Sequence, residues 1–222
     1  MFMKPAIINI LAGMISLSGL VVMAGWLLDI PILASWIPGA ITMKFITAIS
    51  FVLSGAVLYF IGRAPRPGGD SVGDIVLTTA SFTLALVMGT FLLSIAAGIH
   101  TGIEDIFVRD LTPAVHASVP GRPAVPTAIA FVLIAVSGLF WTARFKKRVV
   151  VIKVCGAIVG AIGGIAMLGY ALDQPALYYA VEGVSNPIAL STATLFFMLG
   201  AGLRYAAGAA KEPIANSSSP ML

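Results

Sequence analysis

Long apolar runs separated by short polar connections dominate the chain. Roughly 20 apolar residues in helical form cross a hydrocarbon core of about 30 Å. Six runs approach that length: Ala6–Leu28, Phe45–Gly62, Ile75–Ile99, Pro126–Ala143, Val149–Leu172 and Ile188–Ala207. They are continuous instead of alternating, which predicts helices and not barrel strands. The pattern therefore predicts an all-α integral membrane protein with six transmembrane helices within residues 1–207. A polar segment at 208–222 is expected to form a flexible tail.

Composition strengthens this reading. Of 222 residues, 59% are hydrophobic and only 10% are charged, with a mean hydropathy of +1.03. Soluble domains carry about 25% charged residues. The first run follows Lys4 and has no convincing small-residue cleavage site, so it reads as a retained span and not as a signal peptide. The single cysteine, Cys155, lies inside an apolar run, which excludes a disulfide framework or a paired-cysteine metal site.

The charged residues sort by connection. Lys4, Arg63, Arg66, Arg144, Lys146, Lys147, Arg148, Lys153, Arg204 and Lys211 fall on one side, ten of the thirteen basic residues. The other side has Lys44, Arg109 and Arg122, together with the acids Asp29, Glu104, Asp105, Asp110, Asp173 and Glu182. An excess of lysine and arginine marks the cytoplasmic face, so both termini are expected inside. The net charge of +4 then reports topology and not nucleic-acid binding. The run Arg144–Arg148 is first a topology anchor, with contact to acidic lipid or a cytoplasmic partner as a second use.

Two outward ends repeat. "GWLLDIPIL" at Gly25–Leu33 and "GYALDQPAL" at Gly169–Leu177 share glycine, an aromatic, leucine, aspartate, proline and leucine, 144 residues apart. The returning runs repeat as well. Thr-Ala is followed by an aromatic four residues after the threonine, as Thr47 with Phe51, Thr127 with Phe131 and Thr192 with Phe196. Gly55 and Gly200 stand eight residues after the first and third threonines. Pro-Gly occurs at Pro38-Gly39 and Pro120-Gly121. The chain thus reads as three copies of a two-helix hairpin, at about 5–62, 75–143 and 149–207. Proline ends each helical ladder, and an interfacial aromatic anchors it.

These motifs resemble the N-terminal membrane regions of bacterial sensor histidine kinases and diguanylate cyclases. There, hairpins with an aromatic-x-x-Asp-x-Pro ending and a Thr-Ala return precede a cytoplasmic signalling module. "GIHTGIEDIF" at Gly98–Phe107 with "PGRPAVPTAIAFVL" resembles the middle hairpin, so the likeness runs from Gly25 to Leu203. The resemblance implies a sensor-input fold in a bacterial inner membrane. No phosphoacceptor module, nucleotide site or coiled coil is present in the sequence, so the output is expected in a separate protein.

Three groups of residues are candidates for chemistry. Asp29 and Asp173 recur, and with Trp26, Tyr170, Tyr178 and Tyr179 they are expected to frame an outer vestibule. Aromatic faces beside carboxylates suit a cationic or quinone-like ligand; helix-end carboxylates in water are the plainer reading. His100, Glu104, Asp105, Asp110 and His116 share one outer loop. A helix continued through His100 would put His100 and Glu104 one turn apart, a spacing open to a divalent metal. A solvated loop explains them more simply, and no metal or cofactor is expected. Gly156, Gly160 and Gly164 form a small-residue face for helix packing, within the molecule or between copies.

The centres of the six runs contain no Asp, Glu, Lys, Arg or His, which argues against a pump or coupled transporter. No nucleophile–base set or phosphate loop is present, so an enzyme is not expected. The sequence predicts a non-catalytic membrane protein that perceives a ligand or membrane state and signals through a membrane or cytoplasmic partner. The alternative is an accessory subunit of a respiratory or photosynthetic complex, packing against other helices and holding lipid, quinone or pigment.

Overall fold

A computed structural model describes residues 3–37, 40–63, 71–99, 102, 120–179 and 186–209. Seven α-helices occur among them: α1 (Met3–Leu27), α2 (Pro31–Ser35), α3 (Phe45–Gly62), α4 (Ser71–Ala97), α5 (Val125–Thr142), α6 (Arg148–Ala171) and α7 (Leu190–Ala209). A 3-10 turn spans Pro175–Leu177. No strand occurs among the described residues. Helices α1, α3, α4, α5 and α6 are long and apolar enough to cross a membrane. Helix α7 has 20 residues and includes Ser191, Thr192, Thr194 and Arg204, which lower its apolar character.

Helices pair as α1 with α3, α4 with α5, and α6 with α7. Each leading helix also packs on the returning helix of another pair: α4 on α3, α6 on α5, and α1 on α7. This closes a ring with the returning helices inside. Their centre is a triangle of phenylalanines, one from each. Phe51 and Phe131 have ring centroids 5.0 Å apart, Phe51 and Phe196 5.0 Å, and Phe131 and Phe196 4.9 Å. All three are fully buried. Two of the pairs are edge-on, the arrangement that the ring quadrupole favours.

Small residues set how closely each pair approaches. A Cβ on Gly19 would lie 2.6 Å from the Ala48 carbonyl oxygen, and one on Gly55 2.7 Å from that of Ala12. In the α6–α7 pair, a Cβ on Gly163 would collide with the Ala193 carbonyl. One on Gly200 would lie 2.6 Å from the Gly156 carbonyl oxygen and collide with the Gly160 nitrogen. Only glycine permits these backbone approaches. The gain is dispersion contact between helices, which matters where lipid competes equally for apolar side chains.

Helix ends explain the repeated sequence motif. Asp29 and Asp173 take the left-handed conformation, with φ of 54° and 52°, which aspartate tolerates better than most side chains. The next amide bonds back five residues, Ile30 to the Gly25 carbonyl and Gln174 to the Gly169 carbonyl, both at 2.8 Å. This capping pattern satisfies carbonyls that a helix end otherwise leaves open. The prolines then start the short helix α2 and the 3-10 turn. Gly25 and Gly169 make room for the chain that folds back, since Cβ atoms there would lie 2.6 Å from Leu33 Cβ and 2.8 Å from Leu177 Cβ.

Helix α4 ends by the same pattern at Gly98, whose φ is 66°, with the Ile99 amide donating to the Ser94 carbonyl at 3.0 Å. The helix stops at Ala97. The apolar run reaches Ile99 and the helix ends two residues sooner, while His100 and Glu104 lie outside the described residues. The cause is glycine at the position where the chain must turn left-handed.

Candidate functional site

The ends of two helix pairs, at α2 and at the 3-10 turn, carry most of the residues that the sequence singles out. The Trp26 indole N–H donates to the Met43 carbonyl at 2.8 Å, and the Tyr170 hydroxyl donates to the Ile188 carbonyl at 2.7 Å. Each aromatic thus braces its helix against the start of its own returning segment. A buried carbonyl without a partner is costly in an apolar medium, and these side chains remove that cost. Met43 also donates its amide to the Ala34 carbonyl, and Ile188 to the Tyr178 carbonyl, both at 2.9 Å. The two turns match bond for bond.

Three of the expected vestibule residues lie together. Tyr170 and Tyr178 are stacked with centroids 4.3 Å apart, and Tyr179 leans on Tyr178 at 5.3 Å. Tyr178 packs on a small cluster of Ala124, Ala166, Ile188 and Ala193. Trp26 packs on the main core. Asp29 and Asp173 are exposed at their separate helix ends. This end of the bundle is also tied across the ring. The Asn186 side chain donates to the Arg122 carbonyl at 2.6 Å, and the Arg122 guanidinium donates to the Ile99 carbonyl at 2.9 Å. Sequence reading placed Arg122 as an outer charge and missed this bridging role.

A second region is a groove of about 1030 Å³ between α6 and α7. Its floor is the glycine contact just described, with Gly156, Gly160 and Gly200. Its α6 wall is small at Ala157, Ala161 and Gly164 and bulkier at Ile165, Met167 and Leu168, while Phe197 and Tyr205 stand on α7. A Cβ at Gly164 would meet only the Phe197 ring, at 3.6 Å, so Gly164 lines the groove instead of forming the contact. Gly163, which the sequence reading passed over, forms it. Gly156 and Gly160 pack within the chain, against α7.

The groove is polar at one end alone. Arg204 lines it there, and its Cγ lies 3.1 Å from where a Gly156 Cβ would stand. Lys153 is exposed three and four residues before Gly156 and Ala157, hence on the same face of α6. Arg148, at the same helix end, stacks over Trp141 at 4.4 Å and donates to its carbonyl at 3.3 Å. Cys155 is buried nearby.

Glu104, Asp105, Asp110 and His116, like His100, lie outside the described residues, as do Pro38 and Gly39. Among the described residues, no three His, Cys, Asp or Glu side chains group so as to hold a metal ion. The chain matches no family model, no curated protein and no solved structure.

Proposed function

We propose that this is a non-catalytic membrane module with the fold of a sensor input region. In this reading α7 crosses the bilayer with the other five long helices, and the three helix pairs are copies of one hairpin. Both termini face the cytoplasm of a bacterial inner membrane. The module perceives a ligand or a membrane state and passes it to a separate protein partner.

The filled centre of the bundle carries this reading. The phenylalanine triangle closes it, and the buried polar side chains among the described residues are serine, threonine and asparagine only. Ion and proton pathways use ionisable residues inside the membrane. A plugged and uncharged centre leaves the surfaces to do the work. The matched turns and matched glycine contacts support the hairpin copies, and the basic residues flanking α6 support the topology.

The α6–α7 groove favours a second reading, an accessory subunit of a respiratory or photosynthetic assembly in which lipid, quinone or pigment fills that face. Purification of the tagged protein from its native membrane in gentle detergent, with mass spectrometry of what accompanies it, separates the two. Input function predicts a kinase, cyclase or receptor in fixed ratio. A stoichiometric set of respiratory or photosynthetic subunits replaces that reading with the accessory one.

A further inference from the structure

The α6–α7 groove has a shape and a charge pattern that together specify an occupant. Between Gly156 and Ala171 helix α6 rises roughly 22 Å, enough for one extended acyl chain. From Gly156 to Gly164 the wall is glycine and alanine, and beyond it Ile165, Met167 and Leu168 continue the apolar lining, with Phe197 exposed opposite. The charge lies at one end, where Arg204 and Lys153 stand within a turn of the groove floor. We propose that the groove holds an anionic phospholipid of the cytoplasmic leaflet, with an acyl chain along the glycine and alanine wall and the phosphate between Arg204 and Lys153.

Charge decides against other occupants. A second copy related by a two-fold axis along the membrane normal would bring like ends together, setting Arg204 and Lys153 against their own counterparts. A quinone would fill the apolar length and leave both cations without a partner. An anionic headgroup complements them, at about fivefold in affinity per basic residue near the membrane surface. The assignment rests on the topology proposed above, in which this end faces the cytoplasm.

The first helix pair supplies a control. At positions matched by the repeat, α1 has Leu17 and Leu20 where α6 has Ala161 and Gly164. Ala161 is exposed, and a side chain at Gly164 meets only the Phe197 ring, so leucines are accommodated there.

The test is native mass spectrometry of the full-length protein in detergent, titrated with phosphatidylglycerol and phosphatidylcholine of identical chains. Preferential retention of phosphatidylglycerol is expected. Arg204→Ala and Lys153→Ala each reduce it about fivefold, and Arg204→Lys restores most of the loss. Ala161→Leu combined with Gly164→Leu abolishes retention of both lipids. Arg63→Ala, at the same membrane face just after α3, leaves retention unchanged. Equal retention of the two lipids overturns the proposal. So does an equal loss in Arg63→Ala, a dimer that the leucine variant dissolves, or stronger retention of an added quinone. Lipid retention is read on the isolated chain, so it fails or succeeds separately from capture of a signalling partner.

Discussion

Where α1 carries Leu17 and Leu20, α6 carries Ala161 and Gly164; where α3 carries Tyr59, α7 carries Arg204. The two helix pairs nevertheless close alike. Both use a left-handed aspartate, an aromatic donor to the returning carbonyl, and a glycine on each helix at the contact. The shared residues are those that face the partner helix or cap a helix end. Contact faces differ little, with Ser16 on α1 where α6 has Gly160, whereas Leu17 and Leu20, 61% and 50% exposed, mark a difference on the outward face. Folding therefore accounts for what the two pairs have in common, and the outward differences are where a function specific to one pair must be sought.

The phenylalanine triangle belongs to neither pair alone, and its loss has the largest expected effect. Phe51→Ala, Phe131→Ala and Phe196→Ala should each cost about 3–5 kcal/mol, read by thermal unfolding in detergent. A much smaller loss at Phe131 would show that the middle pair does not share the centre. Next come the glycine contacts. Gly200→Val faces backbone on α6 and should cost about 3 kcal/mol or prevent folding. Gly164→Ala in the same assay should leave stability unchanged. A reversal would move the contact back to the four-residue glycine spacing.

Smaller effects test the matched turns. Trp26→Phe and Tyr170→Phe each remove one hydrogen bond to a carbonyl and should each cost about 1 kcal/mol. Clearly unequal losses would break the equivalence of the two ends. Last, Asp29→Gly and Asp173→Gly relieve the left-handed strain and should stabilise by up to about 1 kcal/mol. If either variant, stable in detergent, loses a captured partner or ligand, that carboxylate serves recognition beyond capping.

Helix positions and the turn motif were legible in the sequence because each depends on local chemistry. Apolar length marks the helices, and glycine, aspartate and proline mark an end. The ends of α4 differ from the apolar run because Gly98 stops the helix while Ile99 prolongs the hydrophobic stretch. The contact face of α6 was only partly legible. A four-residue step advances about 400° around a helix, so a face drifts by about 40° at each step. The seam from Gly156 and Gly160 therefore continues at Gly163, seven residues on, and Gly164 has rotated into the groove. The roles of Trp26 and Tyr170 were hidden because a donor's partner, here a carbonyl in the returning segment, is a tertiary fact. The groove was hidden for the same reason, since its two walls come from two different helices.

Helix α7 is the least apolar of the long helices, yet it buries eleven residues, among them Ser191, Thr192 and Phe196. In the six-span arrangement this carries a consequence for biogenesis. Five helices are long and apolar enough to enter the bilayer on their own hydrophobicity, and α7, made after them, is received by a surface that α1, α3 and α6 have already built. The assembly order is written into the composition: α7 is admitted by its neighbours, and the phenylalanine triangle is completed only when it arrives.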